Sequence, residues 1–172
     1  MKVFGITGWK NSGKTTLVTR LVRHLTARGL RVATVKHAHL GFDLDVEGKD
    51  SYLHREAGAA EVLVSSGKRW ALLHELRGEG EPSLGDLLAR LAPVDLVLVE
   101  GYKRQEHPKL QVLRSPVAEP LPEIDGVVAF ASDRPESLPA ATGGRPVFHL
   151  DDVAAIAAFV LEAAVAGTER QQ

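Results

Sequence analysis

Residues 5–22 read GITGWKNSGKTTLVTRLV, and the fold follows from this stretch. Gly8 to Thr15 fits G-x-x-x-x-G-K-[ST] without a substitution. Glycines at these positions let the backbone curl so that successive N–H groups point inward at phosphate oxygens. The helix opening near Lys14 adds the positive end of its dipole. The context is the one the motif requires, a strand before the loop and a helix after it. KVFGIT is a short apolar run rich in strand formers, and Leu17, Val18, Leu21, Val22 and Leu25 then recur at helical spacing until Gly29. RVATVKH supplies a second strand, so the chain opens on a βαβ unit. The phosphate-site candidates are Gly8, Trp9, Lys10, Asn11, Ser12, Gly13, Lys14, Thr15 and Thr16. Lys14 is placed to reach the β- and γ-phosphates of a nucleotide, and the Thr15 hydroxyl to join a magnesium shell.

Further along, AHLGFDLDVEGKD is a loop rich in Gly and Asp, and SYLHREAGA reads as a short helix capped by Ser51. EVLVSS and RWALLHEL read as a hairpin across GK, with Trp70 alternating into the core. EPSLGDLLARLAP is a helix, and VDLVLVEGY is an unbroken Val/Leu run that fits a central parallel strand buried on both faces. KLQVLR, GVVAFAS and PVFHL are further strands, the first two separated by a proline-rich connection from Pro116 to Pro122. DDVAAIAAFVLEAAV closes the chain as a helix with Asp151 or Asp152 at its cap. The pattern predicts one α/β domain over residues 1–166, with a mostly parallel central sheet and helices on both faces. Residues 167–172 read as a disordered tail.

Composition narrows the function. The chain has 172 residues, 44% hydrophobic and 25% charged, as an ordinary globular domain does. A formal net charge of -1 gives no support for general nucleic-acid or membrane-surface binding. The absence of cysteine excludes disulfides, zinc–thiolate sites and cysteine nucleophiles. MKVFGITG lacks the pattern of a signal peptide, and apolar runs fall short of the roughly 20 residues of a membrane span. A cytoplasmic protein is expected.

A carboxylate near the phosphates completes a nucleotide site. Glu100 stands at the carboxyl end of the predicted central strand, where α/β sheets place their ligands. It is the candidate acidic partner of the metal; pairing with Lys103 or Arg104 is the alternative. Asp95 lies at the strand's other end and faces away. Asp43, Asp45 and Asp50 lie in the loop after the second strand, with Asp43 either on the γ-phosphate side or serving turn chemistry. His37 and His39 either bind a metal or face solvent. No Asn-Lys-x-Asp motif occurs, but Asp133 stands just beyond a strand end, where a carboxylate can accept guanine N–H groups or cap a turn. Trp9 points outward from the loop, and Lys10 is a candidate for action across a dimer.

In four stretches the chain resembles the molybdopterin-guanine dinucleotide biosynthesis protein B family: GWKNSGKTTL, KHAHLGFDLDVEGKDSYLHREAGA, DLVLVEGYKRQEHPKLQVLR and VVAFASD. The second and third are the specific ones, above all GKDSYLHREAGA and VEGYK followed by PK. The resemblance implies a P-loop NTPase fold, GTP as ligand with Mg2+, and a homodimer. It further implies assistance to the guanylyltransferase that attaches GMP to molybdopterin, with molybdopterin and molybdoenzymes as further candidate partners. Carried over by position, it marks Gly8 through Thr16 as the nucleotide site and Glu100 as its acid, with Asp43 and Lys49 as candidates on the nucleotide or pterin side. Lys103 is a candidate for contact with an anionic cofactor. Hydrolysis is expected to be slow, since no arginine finger or water-positioning glutamine is identifiable and such groups are worth ~10³–10⁵ in rate. A small-molecule kinase and a metallocentre-assembly GTPase are the alternatives.

Overall fold

The computed structural model describes residues 1–38, 41–117, 121, 123–138 and 142–167. The backbone divides into two compact units, Met1–His37 with Leu84–Gln172, and Ala38–Ser83.

The larger unit is built on a seven-stranded sheet. Its strands are β1 (Lys2–Gly8), β2 (Val32–Lys36), β5 (Leu96–Glu100), β6 (Lys109–Leu113), β7 (Val127–Ser132), β8 (Val147–His149) and β9 (Val165–Ala166). The order β2-β5-β1-β6-β7-β8 is parallel throughout, and β9 pairs antiparallel with the start of β1 through Lys2↔Ala166 and Val3↔Val165. The period-2 alternation of each strand splits its side chains between two faces. On one face Phe4, Ile6, Leu98 and Leu110 meet α1 (Lys14–Ala27) through Leu17, Leu21 and Leu25, and α4 (Val153–Ala163) through Ile156 and Val160. On the other, Val3, Val97 and Val99 meet Leu84 and Leu88 of the one-turn α3 (Leu84–Leu88). Every residue of β5 is buried, as its unbroken apolar run implied. Asp152 caps α4 by accepting the Ala155 N–H at 3.0 Å, so of the two aspartates offered for the cap it is Asp152. Asp95 accepts the Arg31 N–H at 2.7 Å, at the end of β5 away from Glu100.

The smaller unit holds α2 (Asp50–Glu56) and the antiparallel pair β3 (Glu61–Ser65) and β4 (Trp70–His74). The hairpin is the one expected, but Trp70 is not core: it is 68% exposed. Alternation put Trp70 on the same face as Leu72 and, across the pair, Leu63, and those two are exposed as well. The cap of α2 also differs from expectation. Lys49 occupies the N-cap position with no side-chain bond, and Ser51 lies inside the helix, its hydroxyl donating to Asp45 Oδ1 at 2.6 Å. A nearby carboxylate competes for the hydroxyl that a helix end would otherwise engage. Arg55 gathers this unit's charges, donating to Asp45 at 3.1 Å, Glu75 at 2.8 Å and Asp43 at 3.1 Å.

Candidate functional site

The loop from β1 to α1 closes over residues 9–13. Gly8 has φ 144°, and a Cβ there would stand 2.5 Å from the Val112 carbonyl oxygen and 2.9 Å from Ser12 Oγ. A side chain is excluded on both conformational and steric grounds. Asn11 has φ 63° and Gly13 φ 97°, which turns the chain directly into α1. No side chain caps α1 and its first turn holds no acidic residue. The positive end of the helix is therefore uncompensated there, and suits an anion. Ser12 is buried with its hydroxyl unpartnered. Such a group is costly to bury, and an incoming oxygen acceptor relieves that cost.

Lys14 folds back so that its Nζ donates to the Trp9 carbonyl. Burial holds its pKa below the usual lysine range, opposed by Glu100 and assisted by the ammonium groups of Lys103 and Lys36. Thr15 and Thr16 are exposed on the first turn of α1. The Thr15 hydroxyl donates to Glu100 Oε1 at 2.9 Å. Register explains the meeting. Glu100 ends β5 opposite Ile6 of β1 and Lys36 of β2, on the sheet face that α1 covers. Lys36 Nζ stands 3.6 Å from the same Glu100 oxygen. Among the described residues Glu100 thus pairs with Lys36, where the sequence offered Lys103 or Arg104. A threonine hydroxyl and a carboxylate are hard oxygen donors, the set that suits magnesium.

Beside the loop lies a cavity of about 310 Å³ walled by Trp9, Lys10, Asn11 and Ser12 on one side and residues 112–117 on the other. Asp133 borders this region from the end of β7: its Oδ1 accepts the Ser115 N–H at 3.0 Å, and Arg114 Nε stands 4.0 Å from Oδ2. That backbone hydrogen bond, ahead of the Arg114 charge, holds the Asp133 carboxyl below the usual range. Trp9 is exposed, with Lys103 Nζ 4.0 Å from the centre of its ring. The His37 and Tyr102 rings pack at 5.0 Å between centres, tilted by 45°. His39 lies outside the described residues. Among the described residues no group of three or more His, Cys, Asp or Glu is arranged to hold a metal ion.

The remaining candidates lie in the smaller unit. Asp43 accepts from Arg55 Nη2 and also takes the Asp45 N–H at 2.9 Å, a local turn bond. Asp45 is bound by Ser51 and Arg55, Asp50 opens α2, and Lys49 precedes it. Sequence reasoning passed over Lys36. Its signal was its place as the last residue of β2, at the same end of the sheet as the loop.

The sequence pattern described as molybdopterin guanine dinucleotide synthesis protein B matches residues 3–133. The chain belongs to that family. The molybdopterin-guanine dinucleotide biosynthesis adapter protein of Escherichia coli K12 is 40% identical over 159 residues, 90% of this chain and 88% of that one. The adapter protein of Haemophilus influenzae Rd is 38% identical over 162 residues, covering 92% and 86%. The crystal structure of Bacillus subtilis MobB superposes with a TM-score of 0.76 at 27% identity, covering 96% of this chain and 99% of that one. A MobB homologue from Bacillus stearothermophilus gives 0.67 at 31% identity, covering 93% and 95%. The mostly parallel sheet with flanking helices is the fold of these family members. No helix among the described residues is long and apolar enough to cross a membrane.

Proposed function

We propose that this protein is a GTP-binding accessory protein of molybdopterin guanine dinucleotide biosynthesis, assisting the guanylyltransferase and hydrolysing GTP slowly at most. The observation that carries the reading is the Thr15–Glu100 hydrogen bond of 2.9 Å, directly after an unsubstituted phosphate loop. It joins a hydroxyl and an acid at the carboxyl end of the sheet, where nucleotide phosphates and their metal are held. In this reading Lys14, the loop amides and Ser12 bind phosphate oxygens, while Thr15 and Glu100 hold Mg2+. The metal would screen the charge of the β- and γ-phosphates. Trp9, Lys10 and Asn11 wall the side of the site, and Asp133 reads guanine from its position beyond β7. Asp43 belongs to the smaller unit, where its oxygens serve Arg55 and its own turn.

The accessory role rests on membership of a family whose curated relatives are adapter proteins. A homodimer is supported by the apolar stripe that Leu63, Trp70 and Leu72 expose on the hairpin. A second copy is the proposed cover for that stripe. The protein works in the cytoplasm in this reading, and takes molybdopterin or molybdoenzymes as further partners.

Calorimetric titration tests the site. Lys14→Ala is expected to abolish GTP binding while circular dichroism stays that of the wild type; unchanged affinity would remove the phosphate-loop assignment. ATP outcompeting GTP would remove the guanine assignment, and Asp133 with it. Co-purification of the guanylyltransferase from cells is the expected partner result. Rapid stoichiometric phosphate transfer to a small acceptor would replace the accessory role with a kinase.

A further inference from the structure

Three ammonium groups converge on the carboxyl end of the sheet, each from a different element: Lys14 from α1, Lys36 from β2, and Lys103 from the turn after β5. Lys36 Nζ stands 3.6 Å from Glu100 Oε1, the oxygen that also accepts from Thr15. Lys14 and Lys103 share Trp9: one donates to its carbonyl and the other lies 4.0 Å from the centre of its indole ring. Glu100 supplies one negative charge against these three positive ones. Like charges held together raise the free energy of the protein. The position of Lys103 also carries a conformational cost. Gly101 has φ 99° and Tyr102 φ 48°, and a positive φ is uncommon and strained for a bulky side chain. This turn brings the chain back so that Lys103 lies on Trp9, while the Tyr102 ring is held against His37. Strain of this kind gathers where a side chain must be placed for a ligand.

We propose that Lys36 and Lys103 read the terminal phosphoryl group of the bound nucleotide, so that the site takes a nucleoside triphosphate in preference to the diphosphate. The inference rests on the nucleotide-binding reading above. The loop amides serve phosphates that both nucleotides possess, and Lys14 reaches the β-phosphate of either as well as the γ-phosphate of the triphosphate. Losing the terminal phosphoryl group removes about one net negative charge, because the phosphate left at the chain end ionises once more, and it removes that charge from the far end of the chain. Lys103 then loses the phosphate charge facing it, and Lys36 keeps only Glu100, whose oxygen also accepts from Thr15. Both lysines stand on the terminal side because Lys36 shares its carboxylate oxygen with Thr15, whose hydroxyl would hold Mg2+ beside the terminal phosphates. Trp9 is a positioning residue. The face of an indole attracts an ammonium and limits its wandering.

The test is calorimetric titration of the full chain with GTP and with GDP, both in Mg2+ at fixed ionic strength. Lys36→Met and Lys103→Met are each expected to weaken GTP binding about tenfold while changing GDP affinity less than about threefold. Trp9→Leu should reproduce part of the Lys103→Met effect, and Trp9→Phe, which keeps a ring, should retain most of the wild-type preference. Equal losses for the two nucleotides, or an unaltered ratio, would overturn the proposal. Wild-type protein that binds both nucleotides equally overturns this inference alone; wild-type protein that binds neither overturns the nucleotide reading as well. Fluorescence gives a readout independent of affinity, because Trp9 and Trp70 are the two tryptophans of the chain. In a Trp70→Phe background, saturating GTP should change Trp9 emission more than saturating GDP does, and Lys103→Met should erase that difference. Identical responses to the two nucleotides would count against Lys103.

Discussion

The parallel-sheet unit and the hairpin unit dispose of similar apolar strands in opposite ways. All five residues of β5 are buried, whereas Leu63 of β3 is 62% exposed and Trp70 of β4 68% exposed. The strand compositions are alike; their coverage differs. β5 runs between α1 and α4 on one face of the sheet and α3 on the other, so neither set of its side chains meets water. The two-stranded sheet exposes the Leu63, Trp70 and Leu72 face, and its unit gathers charge around Arg55 instead. Burial is the main source of stability in the first case. Charge-assisted hydrogen bonds contribute visibly to the second.

One substitution made in both regions gives the sharpest break. Leu110→Ala, at a fully buried position, should lower the unfolding free energy by about 3 kcal/mol in urea denaturation. Leu63→Ala should cost less than about 0.5 kcal/mol in a monomeric preparation. Comparable losses at the two positions would show that the hairpin face is covered in solution. Arg55→Ala comes next. It leaves Asp43, Asp45 and Glu75 facing one another without their cation. Amide exchange should accelerate in α2, β3 and β4 and stay slow in β5; acceleration in β5 as well would mean that the two units open together.

The smallest expected effect is a pair of opposite pH dependences. Burial, assisted by the Lys109 charge, pushes His107 of the larger unit from 6.5 down to about 4. A histidine depressed in the folded state is stabilising as the neutral ring. Its contribution is full above about pH 6.5 and is lost as pH falls toward about 4. His74 of the hairpin is raised by hydrogen bonds to Glu61 and then Glu79. Its contribution is full below about pH 6.5 and is lost as pH rises through the raised folded value. Amide exchange across this range should show β6 loosening toward acid and β4 loosening toward base. His107→Phe and His74→Gln should each flatten their own limb; a shared direction in both units would contradict the assignment.

Much of this was legible from local pattern. The loop motif between a strand and a helix, the double burial of β5 and the placing of Glu100 at its end follow from short-range periodicity and glycine positions. Trp70 shows where such reasoning stops. Alternation assigns a side chain to a face of a strand, but whether that face is covered depends on residues far away in the chain. Ser51 shows the same limit at a helix end, since a carboxylate six residues earlier took the hydroxyl. Lys36 is the third case: its value lies in lying opposite Glu100, a partner 64 residues later that only strand pairing reveals.

By itself the sequence determined the G-x-x-x-x-G-K-T loop between strand and helix, the βαβ opening and the family, because each is written in consecutive residues at fixed spacing. The tertiary structure decided which charges meet. Parallel pairing of β2 with β5 set Lys36 beside Glu100, and a strained turn laid Lys103 on Trp9. Electrostatic interaction depends on distance in space, and distance along the chain does not supply it.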